Sequence, residues 1–461
     1  MKLIYNVNDK PKFGQLIVFA IQQLLAIMAA TLVVPVITGH GMSPAAALFG
    51  AGVGTLVYVL FTKRKSPVFL GSSFAFLGSM ATAFAGGVSM SLGYLGLILG
   101  AIMAGLVYVF IAIIVKFAGV EWLNKLMPTV VIGPTVSIIG LSLAGNAVSD
   151  LQAGGVKVAD ASGTAVSVAN PLLCVLIGLI TLFVTMLCST YGKKMARLIP
   201  FILGILAGYA MALVLTVIGN SADIPALQLI DLSNFTALAA DGVSIKTFLQ
   251  IPDFTFLTAL GGFDELNGAY VGTVAVAYVP VAFVVFAEHV ADHKNISSII
   301  EKDLLEDPGL SRTLLGDGVG SMVGAFFGGC PNTTYGESIG CVAITRNASV
   351  YTIITAAVGA MIIAFLSPFV AFVNSIPSCV MGGVCMALYG FIAVSGLKMV
   401  QEVDLNKNRN LFVVSAILIA GIGGLTLNFG KVTITSIAAA LIIGIIANQM
   451  LSKEKDEADA E

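Results

Sequence analysis

Two glutamates in this chain lie within strongly apolar sequence, where a carboxylate is costly. Glu337 lies in GGCPNTTYGESIGCVAITR, residues 328–346, and Glu288 lies in VAFVVFAEHVADHK, residues 281–294. An ionisable group at the centre of a membrane helix costs roughly 3 kcal/mol, so its presence there favours a functional role. Carboxylates accept strong hydrogen bonds from a polar ligand, and a buried carboxyl group can also hold a proton.

The surroundings of Glu288 add further titratable groups. If its segment is helical, Glu288 and Asp292 share one face at i, i+4 spacing, while His289 and His293 share an adjacent face. Alternatively the span ends here, and these side chains are interfacial charges beside Lys294. For Asp292 and His289, a role in proton transfer and a purely structural role are both open.

The surroundings of Glu337 indicate a structured opening of a helix, because Gly336 and a threonine pair precede it. A carboxylate is electrostatically favoured at a helix N-terminus. The alternative is a carboxylate in a water-exposed turn. A second stretch, LGSSFAF at residues 70–76, resembles another helix start, with Ser72 and Ser73 as candidate caps before Phe74.

The composition defines the class of protein. Of 461 residues, 57% are hydrophobic and 10% charged, whereas a soluble domain carries about 25% charged residues. Runs such as residues 93–115 are long enough to cross a bilayer core of ~30 Å, so we predict an all-α multi-pass membrane protein. The net charge of −2 gives no indication of nucleic-acid binding. The six cysteines lack CxxC spacing, and we expect no metal, cofactor or catalytic nucleophile.

The basic residues indicate the orientation. With about fourteen apolar stretches and both termini cytoplasmic, only Lys157, Lys246 and Lys431 of the 23 Lys and Arg residues lie outside. A faint internal repeat relates LMPTVVIG (126–133) to SIPSCVMG (375–382), and SPVFLGSSF (66–74) to CPNTTYGES (330–338). Both pairs are seven spans apart, so the second copy would be inverted, as in many secondary transporters.

Proline and glycine interrupt the third and tenth spans, which we expect to be broken and to contain short extended pieces. Irregular backbone persists in a membrane only where it is buried in protein or lines a cavity. Two half-helices meeting there would direct unpaired N–H groups at one place. We therefore expect both acids in a dry pocket opposite two broken helix ends.

Several motifs resemble a known family. GSSFAF, FAEHVADH and PNTTYGESIGCVAITR, with similar stretches along nearly the whole chain, resemble the nucleobase–ascorbate transporters (nucleobase:cation symporter-2), and within them the bacterial uracil–proton symporters. Glu337, Gly340, Thr345 and Arg346 fit the family signature. Ser338 stands where Asn is usual, which puts in doubt a hydrogen bond that holds the half-helix. Asp292 and Gln23 each stand where some uracil carriers have His.

The resemblance implies an architecture. It implies fourteen spans as two inverted repeats of seven, with a core domain of spans 1–4 and 8–11 and a gate domain of spans 5–7 and 12–14, often assembled as a homodimer. In this chain the repeats would occupy residues 1–219 and 271–452, separated by an external loop at 220–270 and followed by an acidic cytoplasmic tail at 453–461. The location implied is the cytoplasmic membrane.

The resemblance also implies site residues and a function. Glu288 and Glu337 would contact the base, Phe74 and Gly336 would offer backbone N–H groups, and the pocket would be lined by Ala30, Tyr335 and Tyr389. Glu288, Asp292 and His289 would take part in proton coupling. The function expected is proton-coupled uracil import. The alternatives are a carrier of xanthine or another purine, or a channel or anion exchanger of the same architecture.

Overall fold

A computed structural model describes residues 3–119, 125–159, 165–193, 195–240, 242–429 and 432–453. The described chain is mostly helical, with three two-stranded antiparallel sheets. Among these residues, eight helices are long and apolar enough to cross a membrane. Residues 454–461, most of the expected acidic tail, and Lys431 lie outside the described part.

The elements of the first half are numbered in chain order. They are α1 (Phe13–Thr38), α2 (Pro44–Phe61), β1 (Leu70–Ser72), α3 (Leu77–Ala83), α4 (Met90–Ala118), α5 (Thr129–Ser142), α6 (Ala144–Leu151), β2 (Lys157–Ala159), β3 (Ala165–Ser167), α7 (Pro171–Tyr191), α8 (Met195–Leu198) and α9 (Pro200–Ala222).

The second half begins with short helices and continues with longer ones. Its elements are α10 (Ser233–Thr236), α11 (Ile245–Phe248), α12 (Thr255–Ala259), α13 (Gly268–Ile300), α14 (Leu310–Gly328), β4 (Asn332–Thr334), α15 (Gly336–Thr345), α16 (Val350–Ile363), α17 (Ser367–Ser375), α18 (Ser378–Val400), α19 (Asn408–Ile422), β5 (Leu427–Phe429), β6 (Val432–Ile434) and α20 (Ser436–Met450).

Several apolar helices begin at a polar capping residue. The Ser43 side chain accepts a hydrogen bond from the Ala46 N–H, and Asn267 accepts one from the Tyr270 N–H at the start of α13. Each cap satisfies one of the N–H groups that a helix start leaves without an intrahelical partner. These caps fix where the long apolar segments enter the bundle.

Small residues allow α2 and α14 to pack in close contact. A Cβ added at Gly50 would lie 2.3 Å from the Gly324 carbonyl oxygen, and one at Gly54 would lie 2.7 Å from the Gly320 oxygen. Gly50 and Gly54, like Gly320 and Gly324, are four residues apart, the small-xxx-small spacing typical of packed membrane helices. This contact holds α14 firmly against α2.

The long helices pack as two sets. In one set, α2 packs against α14 and α16, while α4 packs against α13 and α14. In the other set, α5 packs against α18, α19 and α20, and α7 packs against α9 and α18. Contacts between the sets are fewer and run mainly through α1 and α13. A ligand held between α13 and α18 would therefore lie between the two sets.

The two segments predicted to be the third and tenth crossings, names that are kept below, are interrupted as the prolines and glycines predict. Pro67 precedes β1, which leads through a 3₁₀ turn at Phe74–Phe76 into α3. Pro331 precedes β4, which leads directly into α15. The two strands pair with each other in antiparallel register, with Gly71 opposite Thr333. This pairing satisfies backbone groups that would otherwise be exposed among apolar helices.

The segment at residues 220–270, expected as an external loop, contains three short α-helices among its described residues and is anchored at several points. The Gln250 N–H donates to the Phe365 carbonyl over 2.9 Å, and the Ser367 hydroxyl donates to the Lys246 carbonyl over 3.0 Å. The segment is therefore hydrogen-bonded to the connection between α16 and α17. The preceding helix ends at Ala222 and the next begins at Gly268.

Candidate functional site

The start of α15 supplies the first acidic group of the site. Gly336 is the first residue of this ten-residue helix, and Glu337 lies in its first turn. The first N–H groups of a helix have no partner within it, and the partial positive charge there favours a carboxylate or another acceptor. Gly336, Glu337 and Gly340 all line the same cavity.

Helix α13 supplies two further acids from its middle. Glu288 and Asp292 line the cavity together, which confirms that the i, i+4 spacing places them on one face. The hydroxyl of Thr334, at the end of β4, donates to Asp292 Oδ2 over 2.7 Å. Asp292 is thus attached to the tenth crossing, while Glu288 remains available to a ligand.

The cavity has a volume of about 490 Å³, within the usual range for small-molecule sites. Its polar lining comes from the three acids, Thr333, Thr334, Arg197, Ser189 and Ser395, and its apolar walls include Leu25, Ala26, Val136, Ile139, Phe201, Leu388, Phe391 and Met399. Glu288 is exposed to this space and Glu337 is partly exposed. Both acids therefore face this one cavity, and the dryness of the pocket stays a prediction.

Two aromatic residues connect the broken crossings at the cavity. Phe74, at the start of the 3₁₀ turn, lines the cavity together with Tyr335. The Tyr335 hydroxyl donates to the Ser72 carbonyl oxygen over 2.6 Å, so the residue before α15 braces the end of β1. The site thus combines an aromatic wall, helix N–H groups and carboxylates.

Three residues expected at the site do not line the cavity. Ala30 is buried within α1, and Tyr389 is buried in α18 with its ring edge-on to Phe74 at 6.0 Å between centroids. His289 is fully buried on the other face of α13, where its ring Nδ1 lies 2.7 Å from Asp317 Oδ2. Ala30 and Tyr389 therefore lie behind the wall, and His289 belongs to a separate polar cluster.

Two residues of interest were missed at the level of the sequence. Asp317 lies in LLGDGVG, where its only signal is a carboxylate within a glycine-rich apolar helix. Arg197, in the short helix α8, lines the same cavity as the acids.

The hydrogen bond placed in doubt by Ser338 is present in the structure. Ser338 Oγ accepts from the Phe69 backbone N–H over 2.9 Å and also accepts from the Gln23 side-chain amide. The two departures from the family pattern, Ser338 and Gln23, therefore contact each other. Together they attach α15 to α1 and to the residue before β1.

The described residues include no group of three or more His, Cys, Asp or Glu side chains arranged to hold a metal ion. The cysteines are unpaired, and five of the six are buried. The polar groups at the cavity are thus carboxylates, hydroxyls, one guanidinium and backbone N–H groups.

The apolar helices, the paired broken crossings and the cavity between two helix sets define a multi-pass membrane transporter. The same fold is found in the transmembrane domain of the cyanobacterial bicarbonate transporter BicA, with a TM-score of 0.62, 14% identity and coverage of 96% of this chain and 100% of that one. It is also found in the murine anion transporter Slc26a9 in its inward-facing state, with a TM-score of 0.62, 10% identity and coverage of 96% and 69%.

The sequence identifies the family. The chain matches the model described as "Permease family" over residues 14–429 and belongs to the nucleobase–ascorbate transporter family, whose members are permeases and not enzymes. It is 38% identical to the uracil permease of Bacillus caldolyticus over 98% of this chain and 95% of the relative. It is 35% identical to the uracil permease of Escherichia coli K12, over 95% and 92%.

Proposed function

We propose that this chain imports uracil across the cytoplasmic membrane together with protons. The observation that carries the proposal is the convergence of Glu288 and Glu337 on one cavity beside the two broken crossings. Relatives named uracil permeases align over nearly the whole chain. Another relative, in Escherichia coli K12, is named a putative pyrimidine permease and is 31% identical.

The chemistry of the cavity suits uracil. Uracil carries N–H donors beside carbonyl acceptors and has no formal charge. Glu288 and Glu337 would accept from the N–H groups, and the first N–H groups of α15, beginning at Gly336, would donate to a carbonyl. The Phe74 ring offers an apolar face on which a base can stack, which is typically worth about 1–3 kcal/mol.

Proton coupling follows from the same groups. A proton on Glu288, or on the neighbouring Asp292 and His289, would remove net charge from the helix set that carries the substrate. Moving a neutral site past apolar neighbours costs far less than moving a charged one. Import would then be driven by the proton gradient.

The architecture proposed is fourteen crossings in two inverted repeats, with a core domain and a gate domain that correspond to the two helix sets. Both termini would be cytoplasmic and the protein would form a homodimer. The antiparallel pairing of β1 with β4 supports the repeat, because it brings equivalent crossings of the two halves together. The two packing sets support the division into domains.

Uptake of radiolabelled uracil into cells that lack their own uracil carrier tests the function. We expect accumulation that collapses with a protonophore and is absent from the double variant Glu288→Gln/Glu337→Gln. The variant Glu306→Gln, at an exposed position outside the cavity, should transport normally. Unchanged uptake by the double variant would contradict the proposal.

Competition defines the substrate. Excess unlabelled uracil should abolish uptake, while xanthine should leave it nearly unchanged. The cavity is large enough for a purine, so stronger inhibition by xanthine than by uracil would assign a purine substrate instead.

A further inference from the structure

We propose that Asp317 and His289 together hold one exchangeable proton, that the Thr313 hydroxyl switches its hydrogen bond as this proton comes and goes, and that this triad is the proton site of the carrier. The inference rests on the proposed proton-coupled function. It places the two ligands of the carrier at different sites: the base binds in the cavity, and the proton binds at the triad.

The triad is enclosed by protein. Asp317 and Thr313 lie one turn apart on α14, His289 lies on α13, and all three side chains have no exposed surface. None of them lines the cavity. A proton on this triad is therefore occluded in the conformation described, although His289 directly follows the cavity residue Glu288 in the chain.

The Thr313 hydroxyl has two acceptors at equal distance, and this makes the triad a two-state device. Thr313 Oγ1 lies 3.0 Å from the Leu310 carbonyl oxygen and 3.0 Å from His289 Nε2. A hydroxyl has one proton to donate and can also accept. It can therefore donate to Leu310 while accepting from a protonated Nε2, or it can donate to an unprotonated Nε2.

The hydrogen-bond count gives the two states. In the loaded state, Nε2–H donates to Thr313, Thr313 donates to Leu310, and one proton lies between His289 Nδ1 and Asp317 Oδ2, which are 2.7 Å apart. In the unloaded state, Nδ1–H donates to the Asp317 carboxylate and the Thr313 hydroxyl donates to Nε2. The states differ by one proton, which is added or removed at Nε2, and the contact between His289 and Asp317 is kept in both.

The surroundings of Asp317 favour the loaded state over the unloaded state in this structure. Its second oxygen, Oδ1, is buried and is among the described side-chain atoms without a hydrogen-bond partner. A buried carboxylate lacking such a partner is costly, whereas the loaded triad is neutral overall. The surrounding titratable groups are Glu288, Asp292 and His293 on α13, Tyr58 on α2 and Tyr108 on α4. None of these is a cation unless His293 is protonated.

The neighbouring His293 does not take the proton from the loaded triad. Its ring stacks on His289 at 4.0 Å between centroids, and its Nδ1–H donates to the His289 carbonyl over 2.8 Å. Its Nε2 lies 2.6 Å from the Tyr58 hydroxyl, which in turn lies 2.7 Å from Ser66 Oγ. Two stacked cations would repel, so a proton on His289 excludes one on His293.

The variant Asp317→Asn tests the proposal, because its amide can donate to Nδ1 and so leaves His289 with its one proton on Nε2, as in the loaded state. Removing that proton would leave an imidazolate, so the variant cannot unload. We expect proton-driven accumulation of uracil to be lost in proteoliposomes, while counterflow exchange of uracil continues at the wild-type rate. Asp307→Asn, at an exposed carboxylate paired with Lys65, should leave both activities unchanged. Asp317→Asn that accumulates uracil like the wild type would overturn the proposal, and so would loss of counterflow in the folded variant.

A second pair of variants covers failure of Asp317→Asn to fold. Thr313→Val should lower accumulation and change its pH profile, whereas Thr313→Ser, which keeps the hydroxyl, should restore both. Equal behaviour of the two would overturn the proposal. If the wild-type protein takes up uracil and a protonophore has no effect, proton coupling and this inference are both wrong, but uracil transport stands. If there is no uracil uptake at all, the proposed function itself is wrong.

Discussion

The third and tenth crossings are built alike up to one point and then diverge. Both begin with a proline and a three-residue strand, and the strands pair with each other. After β1 the chain passes through a 3₁₀ turn that directs Phe74 to the cavity and then forms the seven-residue α3. After β4 it enters the ten-residue α15 at once, with Glu337 in the first turn.

The two crossings therefore contribute different chemical groups to the cavity. The third crossing presents an aromatic ring and carries no charge near the cavity, whereas the tenth presents a carboxylate at a helix N-terminus. Tyr335 and Ser338, both from the tenth crossing, also hold the third in place through Ser72 and Phe69. The third crossing therefore contributes an aromatic residue to the cavity wall. The tenth contributes a carboxylate and the hydrogen bonds that hold the third in place.

Breaking the contact between the crossings should have the largest effect. A Cβ at Gly71 would lie 2.3 Å from the Tyr335 ring and 2.9 Å from Thr31 Oγ1, so Gly71→Ala displaces the ring whose hydroxyl donates to Ser72. We expect little folded protein and no transport, measured by fluorescence-detected size exclusion and uracil uptake. Gly78→Ala in the same crossing meets no atom within 4 Å and is the matched control. Equal yields from both variants would contradict the bracing role.

The second-largest effect should come from removing the negative charge of Glu337 on the tenth crossing. Glu337→Gln replaces a charged acceptor by a neutral one, and hydrogen bonds to charged groups contribute about 1.5–3 kcal/mol. We expect uracil binding to purified protein to weaken by roughly tenfold to a hundredfold in isothermal titration. Glu306→Gln provides the control for a lost surface charge. Unaltered affinity would remove Glu337 from the site.

Removing the aromatic ring of Phe74 on the third crossing should lower uracil affinity somewhat less. Phe74→Ala deletes the stacking face, and a stacked base contributes about 1–3 kcal/mol, so affinity should fall roughly fivefold to a hundredfold. Competition by other planar bases should weaken in parallel, because stacking does not discriminate among them. Phe110→Ala, whose side chain is exposed outside the cavity, should bind uracil like the wild type. A change in discrimination between bases without a loss of affinity would contradict this assignment.

The smallest effect should come from the brace at Ser338. Ser338→Ala leaves the Phe69 N–H and the Gln23 amide without their acceptor, and an unsatisfied buried donor costs about 1–3 kcal/mol. We expect the melting temperature to fall by a few degrees in differential scanning fluorimetry, with uracil affinity nearly unchanged. Ser298→Ala, at an exposed position, serves as the control. A large loss of affinity at unchanged stability would make Ser338 a substrate contact.

Much of the helical fold could be predicted from local signals. Long apolar runs predict membrane-spanning helices, and the prolines before residues 68 and 332 predict the interruptions, because proline and the residue before it do not fit a regular helix. The count of fourteen crossings, the inverted repeat and the division into domains remain predictions.

The candidate site was only partly predictable. Glu288 and Asp292 share a face because helical spacing alone fixes it. The partnership of His289 with Asp317 could not be found in this way, because it joins two helices whose relative rotation depends on packing. Ala30 and Tyr389 show the same limit, since a sequence position does not determine whether a side chain reaches the cavity or lies behind it.

The strand pair β1–β4 has a consequence for how the chain is assembled. Its partners are separated by about 260 positions, and neither strand has another strand to pair with in the described sheets. During synthesis, the backbone groups of β1 that pair with β4 therefore lack that partner until the later segment is inserted beside them. The candidate site is thus among the last parts of the molecule to be completed, and two separately expressed halves would have to associate before this strand pair could form.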